Sequence, residues 1–186
     1  MRRVILVHGW EGHPEEGWFP KFRKDLEEQG FVVTVPAMEP ADAPSQARWV
    51  PQLATTVSMP DEDTYLVGHS AGCITILRYL EGLPDRAKVG GVVLVAGFTD
   101  NLGFEELKNY FTTPIDWPKI RAKAGGFFAI HSDDDKYVPL SHADVFTREL
   151  GATALVLRGR KHFAGSDGTT ELSEARDAIL TLSGLR

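Results

Sequence analysis

The chain has 186 residues, 42% of them hydrophobic and 25% charged, the balance of an ordinary soluble globular protein. A formal net charge of −6 and a pI near 5.5, with no basic stripe along the chain, argue against nucleic acid and an anionic membrane as partners. The lone cysteine, Cys73, cannot form an internal disulfide, so nothing points to an oxidising compartment.

The length suits one domain spanning residues 1–186, large enough to bury roughly 70% of its unfolded surface. The opening MRRVILVHGW holds only the short apolar run Val4 to Val7, ended by His8 and Gly9. A secretory leader needs about 7–15 apolar residues and a membrane span about 20, so a cytoplasmic location is the expectation.

Taken in order, VILV (4–7), FVVTV (31–35), TYLVG (64–68), GVVLVA (91–96), GFFAI (126–130) and TALVL (153–157) read as strands. They are nearly continuous in apolar residues, as parallel strands covered on both faces should be. Between and after them, helices are predicted over roughly 18–29, 44–57, 71–83, 104–111, 141–150 and 170–182. In the first, Phe19, Phe22 and Leu26 recur at helical steps and Gly30 supplies a stop; in the last, Leu172, Ala175, Ile179 and Leu182 mark one face. Sustained strand–helix alternation implies βαβ units and a doubly wound α/β sheet. Ligands of such sheets bind where loops leave the C-terminal ends of the strands.

At one of those ends stands Gly68-His69-Ser70-Ala71-Gly72, a G-x-S-x-G sequence that closes a predicted strand and opens a predicted helix. A sharp strand-to-helix turn strains the serine backbone and tolerates only small neighbours, which is how a nucleophilic hydroxyl is lifted clear of a sheet. The simpler reading is a helix N-cap serine; the strand-then-helix context favours the nucleophile.

A nucleophilic serine needs a base, and the base an orienting acid. Of six histidines, His162 follows the last strand in LRGRKHF and is the expected base. His8 and His69 sit beside strand ends, and His69 should point away from Ser70. His131 follows the fifth strand, in the segment that must supply the acid. His13 and His142 read as solvated surface residues. The acid should lie in HSDDDKYVP, where composition cannot separate three aspartates and a solvated acidic turn accounts for two. Asp135 ranks first because it stands in D-x-x-V-P with Pro139 opening a helix; Asp134 ranks second. The order Ser70, Asp135, His162 is that of α/β-hydrolases.

The oxyanion hole should be built from the backbone N–H groups of Ala71, at the helix N-terminus, and Trp10, which follows Gly9 in the loop after the first strand. Residues 97–125 leave room for a helix or two rather than a lid domain, which predicts a shallow site for small substrates. Trp10, Phe98, Phe104, Tyr110, Phe111 and Trp117 are the candidate pocket residues, with packing of a cap helix on the sheet as the alternative role.

VILVHGW, Trp18-Phe19-Pro20, TYLVGHSAGC with the following ILRYLE, GGVVLVAGF, the D-x-x-V-P turn and the late HF together resemble one family. It is the compact α/β-hydrolase family that includes retinoblastoma-binding protein 9 and YdeN, and the resemblance runs over nearly the whole chain. It implies a six-stranded fold without the first two strands of larger members, a minimal lid, and Ser70, Asp135 and His162 as the triad. Relatives typically carry glycine just before the base, where this chain has Lys161. No L-x-C-x-E sequence is present, so a retinoblastoma-binding role does not transfer.

The expected activity is therefore hydrolysis of small carboxylic esters through an acyl-enzyme. Amidase or aminopeptidase and thioesterase chemistry on the same triad, or a non-catalytic binding scaffold, are the alternatives. A small-molecule ester or amide is the expected partner, and neither a cofactor nor a metal is expected.

Overall fold

The six apolar runs all become strands, and every pairing between them is parallel. In the computed structural model, which describes residues 1–185, they form one sheet in the order β2-β1-β3-β4-β5-β6. The strands are β1 (Arg3–Val7), β2 (Val32–Thr34), β3 (Thr64–His69), β4 (Gly91–Val95), β5 (Phe127–Ser132) and β6 (Thr153–Leu157). The helices are α1 (Phe19–Glu27), α2 (Gln46–Val57), α3 (Ala71–Gly82), α4 (Trp117–Arg121), α5 (Ser141–Leu150) and α6 (Ser173–Leu182).

Side chains alternate across each strand, and the two faces gather two cores. Ile5, Val7, Leu66, Val92 and Leu94 face Trp49, Leu53, Ile74, Leu77 and Phe146 of α2, α3 and α5. Val4, Leu6, Val67, Val93 and Val95 face Phe19, Phe22 and Leu26 of α1 and Ala175, Ala178 and Ile179 of α6. The three apolar residues of α1 are each at most 2% exposed, and such burial contributes about 1.5–3 kcal/mol per side chain. The helical spacing in the sequence thus marks the face that pins α1 to the sheet.

One helical expectation changes. Residues 105–111 form a 3-10 helix (Glu105–Phe111) instead of an α-helix, while α4 is a second helix in the segment 97–125, which has room for one or two. Asp116 caps α4 by accepting the N–H of Lys119, with Pro118 in its first turn. With a 3-10 turn and one five-residue helix between β4 and β5, the cap over the sheet is small.

The register brings the C-terminal strand ends to one edge: Val7 lies opposite Gly68, His69 opposite Val95, and Ser132 opposite Leu157. Here α3 starts in close contact with β1. A Cβ on Gly72 would stand 2.1 Å from the Val7 carbonyl oxygen, so this helix can begin where it does only with glycine. Gly72→Ala should therefore destabilise the fold by about 1–3 kcal/mol. Gly82→Ala, where an added carbon has nothing within 4 Å, should be neutral or gain up to about 1 kcal/mol. Urea unfolding midpoints of the two variants check this.

Candidate active site

Ser70 connects β3 to α3 with φ 54° and ψ −119°, a backbone conformation that costs a non-glycine residue of order 1–3 kcal/mol. The surroundings hold it there. Its N–H donates to the Val95 carbonyl at 2.9 Å. A Cβ on Gly68 would lie 2.7 Å from the Cys73 nitrogen, and one on Gly9 would lie 3.0 Å from the Ser70 Cβ. The glycines of the elbow and of the β1 loop are thus accounted for by contact distances around this one serine.

His162 comes from the loop after β6. Its Nε2 stands 2.9 Å from Ser70 Oγ, and its Nδ1 stands 2.8 Å from Asp135 Oδ2. Since an ionised carboxylate only accepts, the ring proton sits on Nδ1 and the Nε2 lone pair faces the hydroxyl. Asp135 is 1% exposed at its side chain and His162 14%. Burial alone would raise the Asp135 carboxyl. The bond from His162, its charge, and the N–H groups of Tyr137 (2.8 Å) and Val138 (3.1 Å) outweigh that and hold it below the usual carboxylate range. The D-x-x-V-P turn therefore supplies the donors that aim the carboxylate.

The two neighbouring aspartates are exposed, as expected of a solvated acidic turn, and they also accept backbone N–H groups. Asp133 Oδ1 accepts the Gly159 N–H at 2.9 Å, and Asp134 Oδ1 accepts the Lys161 N–H at 2.8 Å. All three carboxylates of the β5 loop thus reach the β6 loop, and Asp135 alone meets the imidazole. Lys161, where the resemblance leads one to expect glycine, takes up φ 48°, a conformation that glycine favours.

The remaining histidines divide. His13 is exposed as expected. His142 is only 5% exposed, with Nδ1 accepting the Thr99 N–H at 3.1 Å, so its reading as a surface residue is corrected: α5 presses it against the β4 loop. His8 donates from Nδ1 to the Gly9 carbonyl at 2.8 Å and accepts the Met38 N–H at Nε2, 2.9 Å away. His131 donates from Nε2 to the Gly97 carbonyl at 2.9 Å. His69 does not contact Ser70; its Nε2–H donates to the His162 carbonyl at 2.7 Å. Burial, with repulsion from His162 second, lowers its pKa to about 3, so it serves as a neutral donor.

Over Ser70 opens a cavity of about 440 Å³. Trp10, Phe98 and Phe104 line it as expected, together with Leu102 and Leu107. The Trp10 indole is fixed by a 2.9 Å bond to the Asp42 carbonyl and by edge-on packing against Phe104. Trp10 and Ala71 both border the cavity beside Ser70, and among the described residues neither backbone N–H donates to a loop carbonyl or a side chain.

Tyr110, Phe111 and Trp117 do not line this cavity. The three-residue period of a 3-10 helix carries Tyr110 inward, fully buried with its hydroxyl 3.0 Å from that of Thr75. Phe111 and Trp117 face a separate cavity of about 420 Å³ on the far side of the cap. The larger cleft of about 630 Å³ by Asp61 and Lys88 lies at the opposite, N-terminal edge of the sheet. Sequence reasoning missed Glu11, Glu16 and Tyr137 at the cavity. All three follow strand ends, the signal that could have found them.

The parallel six-stranded sheet with helices on both faces, Ser70 on its strand-to-helix corner and the chain order Ser70, Asp135, His162 are together the arrangement of an α/β hydrolase. The chain matches the serine hydrolase family model over residues 4–180 and belongs to that family. It is 31% identical to YdeN of Bacillus subtilis over 179 residues, covering 96% of this chain and 94% of the relative. Identity to the serine hydrolase RBBP9 of Rattus norvegicus is 30%, over 89% of each chain. The crystal structure of YdeN superposes with a TM-score of 0.94, at 30% identity, over 99% of this chain and 100% of that one. Est1E of Butyrivibrio proteoclasticus shares the fold at a TM-score of 0.76 and 15% identity, over 98% of this chain and 88% of that one.

Burial lowers the pKa of His8, His69, His131 and His142 below the ordinary 6.5, so each folds in its neutral form. Unfolded chains take up protons below about pH 6.5 that the folded chain refuses, so stability falls as pH drops from there. Between pH 7 and pH 5, His69 alone should cost about 1–2 kcal/mol. Thermal melts should show Tm falling over that interval, and His69→Gln should flatten the slope.

Proposed function

We propose that the protein is a carboxylesterase of small neutral esters, working through Ser70, His162 and Asp135 with an acyl-enzyme intermediate. The observation that carries this reading is the pair of bonds, 2.8 Å and 2.9 Å, linking Asp135 to His162 and His162 to Ser70 at the floor of a cavity. As Ser70 Oγ attacks a carbonyl carbon, His162 Nε2 takes its proton. Asp135 holds the ring in the required tautomer and stabilises its charged form. The oxyanion forms against the Ala71 and Trp10 N–H groups, each contributing about 10²–10³ in rate. His162 then protonates the departing alcohol, and water, deprotonated by the same nitrogen, releases the acid.

The small cap supports short acyl groups, packed by Phe98, Leu102, Phe104 and Leu107. Among the described residues no helix is long and apolar enough to cross a membrane, and a cytoplasmic location belongs to this reading. Labelling with a fluorophosphonate probe tests it: the protein should react and Ser70→Ala should not, while Asp135→Asn should lose about 10⁴-fold in ester turnover. Labelling that persists in Ser70→Ala, or ester turnover that stays flat from about pH 5 to 8, would overturn the assignment of nucleophile and base.

Among the described residues Glu11 and Glu16 border the cavity and no lysine or arginine does, so the lining carries formal negative charge. A p-nitrophenyl ester with a free carboxylate on its acyl chain should have a kcat/KM about 10-fold below that of a neutral ester of equal length. Glu16→Gln should narrow that gap, and raising the salt concentration should do the same.

A further inference from the structure

His162 is delivered by a turn whose backbone needs outside support. Phe163 N–H closes it onto the Arg160 carbonyl at 3.1 Å, with Lys161 at φ 48° and Phe163 at φ 58°, both left-handed. Phe163 is secured by complete burial of its ring in the core shared with α1 and α6. Lys161 has no such anchor, since its side chain is exposed. What grips it is its own N–H, which donates to Asp134 Oδ1 at 2.8 Å. The same oxygen accepts the Ser132 hydroxyl at 2.7 Å, and Ser132 Oγ in turn accepts the Arg160 N–H at 2.9 Å. Ser132 is the last residue of β5 and 1% exposed, so the strap is rooted in the sheet. The next residue in each loop makes the functional contact, Asp135 to His162 at 2.8 Å.

We infer that Asp134 is a positioning residue of the site: from the end of β5, with Ser132, it clamps Lys161 in a left-handed conformation and so aims the ring of His162 at Ser70. The inference rests on the reading of His162 as general base. The physical logic is local. A lysine relaxes out of φ near +50° unless a bond offsets the cost, and relaxation there rotates the next residue, which carries the imidazole. The carboxylate stays ionised for this purpose, because the Ser132 hydroxyl and then the Lys161 N–H hold its carboxyl below the usual range, and an ionised acceptor makes the stronger bond. Lys161 is therefore tolerated just before the base because Asp134 stands opposite it.

The test is a double-mutant cycle on the full chain, read by p-nitrophenyl acetate hydrolysis and by the low-field proton resonance of His162 Nδ1–H. Asp134→Ala should lower kcat about 10-fold or more with KM changed less than about 3-fold, and should broaden the Nδ1–H resonance. Asp134→Asn keeps a carbonyl acceptor and should restore both. Lys161→Gly removes the strain, so adding Asp134→Ala to it should cost less than about 3-fold. If Asp134→Ala fails to fold, Ser132→Ala cuts the same strap and takes its place in the cycle. Equal losses with Lys161 or with Gly at position 161, or an unchanged kcat and resonance in Asp134→Ala, would overturn the proposal. A wild-type chain that does not turn over the ester would count against the esterase reading, and the resonance would then decide the role of Asp134 by itself.

Discussion

The backbone of Gly72 lies so near the end of β1 that one added carbon would fall 2.1 Å from the Val7 oxygen, and the site inherits its geometry from this contact. Because α3 can start there, Ser70 is forced onto the corner between β3 and α3 at φ 54°. Because β1 ends there, its loop lies against the serine, and a Cβ at position 9 would stand a tight 3.0 Å from the Ser70 Cβ. The cavity wall beside Ser70 includes both Trp10, from that loop, and Ala71, from the start of α3. Strain at one residue is thus offset by packing over a helix, α3, that is buried from Ala71 to Leu80.

Around this corner the electrostatics are arranged by neutral and charged groups in separate roles. The histidines at the strand ends stay neutral and serve as directional donors or acceptors to backbone, as His69 does for the His162 carbonyl. The carboxylate that meets the imidazole belongs to the β5 loop, where hydrogen-bond donors offset the effect of burial, while Glu11 and Glu16 border the cavity itself. Asp135 accepts two backbone N–H groups besides the imidazole, so its orientation does not depend on the ring it orients. That separation keeps a buried ion from being left uncompensated when the imidazole turns.

Much of this was legible in the sequence because it depends on short-range constraints. Six apolar runs could only be strands of a covered parallel sheet, and glycines flanking a serine at a strand end state their steric reason directly. Asp135 was separable from its neighbours by the Pro139 turn, but the work of Asp133 and Asp134 was not legible. Their partners, Gly159 and Lys161, lie on a loop that only tertiary pairing of β5 with β6 brings near. The cap misled for a related reason. Aromatic residues at 104, 110, 111 and 117 suit either a pocket or a core, and whether Tyr110 turns inward depends on the 3-10 period, which composition does not encode. His142 read as surface because it falls in the first turn of a helix, yet the docking of α5 buries it.

Ser70 and His162 differ in how firmly the sheet holds the strands that lead to them. β3, which leads to Ser70, is flanked by β1 and β4 and buried throughout, whereas β6, which leads to His162, pairs with β5 alone and leaves Val156 51% exposed. Edge elements with few buried contacts open at lower free energy than the centre of a sheet. Fraying of this margin on warming would withdraw the imidazole while the hydroxyl stayed seated, so loss of turnover would precede the cooperative melting of the fold, and cooling would reverse it.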